Sequence, residues 1–192
     1  MFNAYTFLAY IFIMAFTPGP NNIMAMTNAS RYGFRKSFPF NLGILVGFSI
    51  VMAVCAVFST MLVTIIPSIK PVMIVLGAAY MLYLAWKILR SSSIKMKESK
   101  SAGFVTGMLL QFVNPKIMIY GITAMSTYIL PYYNEPHEIA LFASLLVFVG
   151  FSGTVCWSVF GMMLYKLFLN HAKVMNTIMA LLLVYCAASL FL

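Results

Sequence analysis

FNLGILVGFSIVMAVCAVFSTMLVTII, residues 40–66, carries no charged side chain from end to end. As a helix it would reach about 40 Å, more than the roughly 30 Å of hydrocarbon in a bilayer. Five further apolar runs occupy residues 3–29, 71–89, 104–130, 139–164 and 174–192. Of the 192 residues, 63% are hydrophobic and 8% charged, against about 25% charged in a soluble domain. Too few polar side chains remain to cover a water-facing surface. Helix follows from run length and from the bilayer's demand that backbone groups be satisfied within a segment. A β-barrel would alternate polar and apolar residues in short segments, and these runs do not. The expected fold is all-α: a polytopic membrane protein of six transmembrane helices, one domain over residues 1–192.

The opening stretch, MFNAYTFLAYIFIM, lacks the basic n-region and cleavage site of a secretory signal and is expected to be a retained first helix. Cys55, Cys156 and Cys186 sit in apolar runs without CxxC spacing and read as packing residues. The formal charge is +9, but its placement argues for orientation rather than nucleic-acid binding. Arg31, Arg35 and Lys36 fall between the first two runs. Lys87, Arg90, Lys95, Lys97 and Lys100 surround the third connection, and Lys166 and Lys173 the fifth. The opposite connections hold only Lys70, with Glu135 and Glu138. Cytoplasmic loops retain Lys and Arg, so both termini are expected on the far, periplasmic side.

The two halves echo each other. TPGPNNIM in the first run and FVNPKIM in the fourth place Pro20 and Pro115 equivalently. VGFS occurs at residues 46–49 and 149–152, with Cys55 and Cys156 following, and Lys70 and Lys173 precede the third and sixth runs. Three helices per copy is an odd number, so the repeats, approximately 1–92 and 101–192, are expected to be inverted.

Two breaks interrupt that pattern. Residues 4–16 would make a helix of about 20 Å, too short to cross the core. Pro18 and Pro20 then interrupt the hydrogen-bond ladder, with Gly19, Asn21 and Asn22 beside them. Asn114-Pro115 reads as an N-cap followed by a first helical residue, a restart inside the fourth run. Each restart presents free N–H groups and a positive dipole end, which suits a carboxylate. A tolerated proline kink is the plainer account of either break alone. Lys116, deep in the fourth run, is costly there and marks a functional site unless it snorkels to the interface.

Absences narrow the chemistry. Glu98, Glu135 and Glu138 all fall in connections, as do His137 and His171, so no carboxylate is embedded to relay a proton. HExxH, GxSxG and paired intramembrane acids are missing, and neither cofactor nor metal nor enzymatic activity is expected.

TPGPNN at 17–22, GAAYMLYLAWKI at 77–88 and LQFVNPK at 110–116 resemble the LysE/RhtB family of amino-acid exporters, in order and over nearly the whole chain. YGITAMSTYILP (120–131), Cys156-Trp157 and ALLLVYCA (180–187) resemble the branch exporting cysteine and O-acetylserine. The resemblance implies a bacterial inner-membrane exporter driven by the proton-motive force. A small zwitterionic amino acid would find its carboxylate partner in Lys116 and the restarted helices. Its ammonium would find acceptors in freed carbonyls, Asn21, Asn22, Asn114 and Gln111. The candidate site is therefore Pro18, Gly19, Pro20, Asn21, Asn22, Gln111, Asn114, Pro115 and Lys116. Without an embedded acid, small neutral substrates are favoured over lysine or arginine, with threonine and homoserine as alternatives. A passive channel lacks a polar pore lining, and a structural subunit leaves Lys116 and the paired breaks unexplained. Gly43xxxGly47 and Gly103xxxGly107 fit either close helix packing or a homo-oligomer.

Overall fold

The computed structural model describes the backbone of residues 2–90, 102–188 and 191, and all side chains of these except 59–70, 73, 168 and 169. Lys95, Lys97, Glu98 and Lys100 of the expected cytoplasmic loop lie outside the described residues. Among the described residues every regular element is helical. They are α1 (Ala4–Phe16), α2 (Pro20–Tyr32), α3 (Phe34–Arg90), α4 (Phe104–Phe112), α5 (Pro115–Thr123), a π-helical turn (Ala124–Ile129), α6 (Pro136–Met163), α7 (Tyr165–Asn170) and α8 (Ala172–Ala188).

Local chemistry sets most boundaries. Asn3 caps α1, its side chain accepting from Thr6 N–H at 3.2 Å. Pro18 and Pro20 end that helix, and Pro20 opens α2 at the first helical position, where a missing N–H costs nothing. Gly33, at φ 81°, closes α2 in the positive-φ region that glycine tolerates. Asn114 caps α5 by accepting from Lys116 N–H at 3.2 Å, with Pro115 at the first helical position. Both expected breaks are thus present. The π-helical turn after α5 was not signalled by the sequence.

The connection expected near Lys70 is different. Helical backbone runs unbroken from Phe34 to Arg90, 57 residues, which as a rod would measure about 85 Å. It is not a rod. Phe40, Ile44 and Tyr80 share one apolar cluster, although a straight helix would hold Phe40 and Tyr80 about 60 Å apart. Gly43 packs on Phe104, Gly47 on Met108, and Met52 and Cys55 on Gly121, so the arm Phe34–Phe58 runs parallel to α4–α5. Gly77 packs on Pro115 while Ile88 shares a cavity wall with Ala102 and Gly103, so the arm 71–90 runs the opposite way. Pro67 and Pro71, which cannot donate a helical hydrogen bond, stand between the arms. The expected reversal is met without a loss of helical backbone.

Gly153 packs on the Ala15 carbonyl and Gly161 on that of Met26, which lays α6 parallel to α1–α2. Gly43, Gly47 and Gly107 are likewise used inside the chain, since a Cβ at any of them would collide with backbone of the facing helix. Gly103 has no such neighbour among the described residues. Two segments, Phe34–Phe58 and Pro136–Met163, are by themselves long and apolar enough to cross a membrane; α1 and α8 are shorter apolar helices. On α6, Leu141, Phe148 and Met163 are 71%, 71% and 72% exposed, a surface suited to lipid rather than water.

Two apolar clusters flank the centre. One holds Phe7, Ile11, Phe48, Tyr120, Met125 and Leu146. The other holds Ile23, Met26, Met81, Leu84, Met179 and Leu183. Between them the broken ends of α1/α2 and α4/α5 meet.

Candidate functional site

At the end of α1 the backbone carbonyls lose their helical partners, because Pro18 and Pro20 offer no N–H. Each finds another donor. Thr17 N–H closes the last helical bond, to Ile13 O at 3.0 Å, and beyond it the Thr17 hydroxyl donates to Met14 O at 3.2 Å. Asn22 Nδ2 donates to Ala15 O at 2.9 Å and to Thr17 O at 3.0 Å. Trp157 Nε1 donates to Phe16 O at 3.0 Å.

The remaining donor comes from the other break. Lys116 Nζ donates to Thr17 O at 2.9 Å, Thr17 Oγ1 at 3.0 Å and Pro18 O at 3.3 Å. The ammonium thus sits on the negative end of the α1 dipole. Gly19 makes this passage possible: a Cβ there would lie 3.0 Å from Lys116 Cδ and 3.1 Å from Nζ. At φ −167° its backbone is ordinary extended chain, so the requirement is for space alone.

A second bridge joins the breaks through amides. Asn21 Nδ2 donates to Gln111 Oε1 at 2.7 Å, and Gln111 Nε2 returns a bond to Asn21 Oδ1 at 3.1 Å. Asn114 Nδ2 donates to the same Asn21 oxygen at 3.0 Å. Thr154 of α6 donates to Asn22 Oδ1 at 3.3 Å. All these side chains are buried, where an unmade bond is expensive.

The restarts differ in one respect. Asn114 caps the first donor of α5, whereas Gly19 offers α2 no side-chain cap. The open positive end therefore belongs to α2, beside the Lys116 ammonium. A cavity of about 30 Å³, with room for about one water, lies against Gly19, Pro20, Asn21, Asn22, Asn114 and Lys116. A second, of about 280 Å³, lies against Thr17, Pro18, Gly19, Pro20, Lys116 and Cys186. The latter approaches the roughly 300–1,000 Å³ of small-molecule pockets. An apolar cleft of about 880 Å³ between the first arm of α3 and α6 is larger. Its serines, Ser49 and Ser144, are tied to Leu45 O and Ala140 O of their own helices, so it offers a zwitterion nothing.

Eight of the nine sequence-predicted residues converge here, while Pro115 opens α5 and packs on Gly77. Pro18, Gly19, Pro20, Asn21, Asn22 and Lys116 surround the α1/α2 break, and Gln111 and Asn114 close it from the other side. One expectation changes: the Thr17 and Pro18 carbonyls are already occupied by Lys116 and Asn22. Thr17, Thr154 and Trp157 were missed. Thr17 was visible as part of the TPGPNN break and Trp157 only within the Cys156-Trp157 resemblance; Thr154 carries no local signal. Among the described residues, no group of His, Cys, Asp and Glu could hold a metal.

Residues 12–192 match the LysE type translocator family, and the chain belongs to that family. It is 42% identical over 186 residues to the cysteine/O-acetylserine efflux protein of Salmonella typhi, covering 96% of this chain and 95% of that protein. It is 41% identical over 186 residues, with the same coverage, to the cysteine/O-acetylserine efflux protein of Escherichia coli K12. No solved structure matches the chain.

Proposed function

We propose that this chain is a secondary transporter of the bacterial inner membrane that exports small neutral amino acids, with cysteine and O-acetylserine as substrates. The observation that carries this is the Lys116 ammonium seated on the Thr17 and Pro18 carbonyls across two helix breaks. A zwitterion matches that pair at both ends. Its carboxylate takes Lys116 and the uncapped N-terminus of α2; its ammonium takes the acceptors Lys116 leaves. Binding is then an exchange of partners, which conserves charge in a low-dielectric site. It also frees the two half-helices to move relative to each other.

The identity to relatives named for cysteine and O-acetylserine efflux supports the substrate assignment. Overexpression should raise both compounds in the medium and lower them in the cell, with little effect on lysine or arginine. Lysine export equal to cysteine export would refute the countercharge argument. Export of threonine or homoserine instead would overturn the substrates and keep the exchange.

The topology that accompanies this function is six spans in two inverted repeats, with both termini periplasmic. Its support is the matched pair of packings, the first arm of α3 on α4–α5 and α6 on α1–α2, both parallel and both seated on glycines. In an inverted repeat these are the same contact seen twice. Alkaline phosphatase fused after Leu192 should be active, and a fusion near Lys97 inactive. The reverse pattern would remove the orientation.

A further inference from the structure

A second polar cavity, of about 360 Å³, lies at the opposite end of α2 from Lys116. Its polar lining includes Thr27, Asn28, Arg31, Tyr32, Tyr80 and Lys87, and no Asp or Glu is in its wall among the described residues. Thr27 and Asn28 are 3% and 4% exposed, so the cavity reaches well into the bundle. Asn28 is fully engaged, exchanging bonds of 3.2 Å and 3.0 Å with the backbone of Ala102. Arg31 is not. Its Nη2 donates to Asn176 Oδ1 at 2.6 Å and to Ile88 O at 3.4 Å, which pins the guanidinium plane. Tyr32 also hydrogen-bonds the Arg31 side chain, but the Arg31 Nε, buried, has no acceptor among the described residues. A pinned cation with an unfilled donor, near the exposed Lys87 and facing no acid among the described wall residues, is built for an oxyanion.

The cavity also stands in line with the Lys116 site. From Pro20 to Arg31 is about 16 Å along α2. Met24 and Tyr80 line the boundary between the two, packing against both the Met81 cluster and the Phe40 cluster. Met81, next to Tyr80 in the chain, lines the 280 Å³ space beside Lys116.

We propose that the Arg31–Lys87 cavity is an intake subsite, which captures the substrate's carboxylate from the cytoplasm before Met24 and Tyr80 part to admit it to Lys116. The subsite rests on the exporter function proposed above. The phosphate of an anionic lipid offers the same oxyanion chemistry, but the buried walls at Thr27 and Asn28, on the helix that leads to Lys116, favour a small solute.

The test is transport by the full chain in proteoliposomes of defined lipid, with cysteine supplied at the Arg31 face. Arg31→Gln should raise KM about 10-fold or more, the scale of a lost hydrogen bond to a charged group. Its maximum rate should stay within about 2-fold, as expected when only substrate capture is weakened. Arg31→Lys should fall between, and Lys87→Gln, on an exposed side chain, should raise KM about 2-fold. If Arg31→Gln fails to reach the membrane, Arg31→Lys and Lys87→Gln carry the comparison. Glu98→Gln should behave as wild type; a matching KM defect there would assign Arg31 to the chain's own carboxylate and overturn the proposal. A defect that vanishes in purely zwitterionic lipid would assign the cavity to lipid phosphate and also overturn it. Unchanged KM in the Arg31 and Lys87 variants, with wild type active, would remove the subsite alone. Wild type that exports no amino acid would remove the exporter function and the subsite together.

Discussion

Lys116→Leu is expected to abolish export while the protein reaches the membrane at normal abundance. The substitution removes the ammonium that holds Thr17 O, Thr17 Oγ1 and Pro18 O. Thr17 O keeps Asn22 as a donor, so the break need not collapse. What disappears is the positive partner that a substrate carboxylate would take over. Losing the charged partner of a bound carboxylate costs about 2–5 kcal/mol, which corresponds to a rate roughly 30-fold lower or more. Insertion should become easier, since a lysine at a helix centre costs about 2.5–3.5 kcal/mol on insertion scales. Lys116→Arg should retain partial activity. It keeps the charge, but a planar guanidinium is wider than the ammonium stem that Gly19 admits. Export from loaded vesicles, normalised to the amount of protein in the membrane, checks all of this. Normal export by the leucine variant would return Lys116 to a structural role.

Asn21→Ala is expected to destabilise the protein by about 2–4 kcal/mol, because it strands two buried amides at once. Gln111 Nε2 and Asn114 Nδ2 both donate to Asn21 Oδ1, and Gln111 Oε1 accepts from Asn21 Nδ2. Gln111 retains Gly107 O as an acceptor for its Nε2, at 2.9 Å, which keeps the loss toward the lower end. Export should fall as well, since this bridge sets the register of the two breaks. Gln111→Ala should cost a comparable amount. The double variant should cost less than the sum by roughly 0.5–3 kcal/mol, as for residues sharing one network. Thermal unfolding in detergent, with export measured on the same preparations, gives the values. Strict additivity would show that the two amides act independently and that the bridge carries no coupling.

The breaks were legible because they are written in backbone chemistry. Proline lacks an N–H wherever it stands, and Asn before proline caps a helix whatever packs around it. Pro18, Pro20, Asn114 and Pro115 therefore announced themselves, and Lys116 did so through the cost of its charge in hydrocarbon. The positions that missed were those where the consequence of a residue depends on its neighbours in space. The apolar runs ending at residue 66 and resuming at 71, with Lys70 between, implied an interruption, yet helical backbone continues from Phe34 to Arg90 while its two arms run in opposite directions. Thr154 and Trp157 sit in a uniformly apolar helix, with no period to say which face they take.

Composition and local covalent chemistry were enough for the class of the molecule, its two interrupted helices and the presence of a lysine beside the second of them. They said nothing of where that lysine points. Lys116 and Thr17 are 99 residues apart in the chain, and Asn21 and Gln111 are 90 apart, so their meeting belongs to the packing of whole helices. Arg31 shows the same limit from the other side. In the sequence it is one of ten basic residues expected to orient the protein; packed on Asn176 and Ile88 it becomes a cavity wall with a donor to spare. In helices apolar on every side, hydrophobicity cannot select a facing surface. That choice falls to close approach at glycine and to the pairing of the few buried polar groups, both of which exist only once the helices have met.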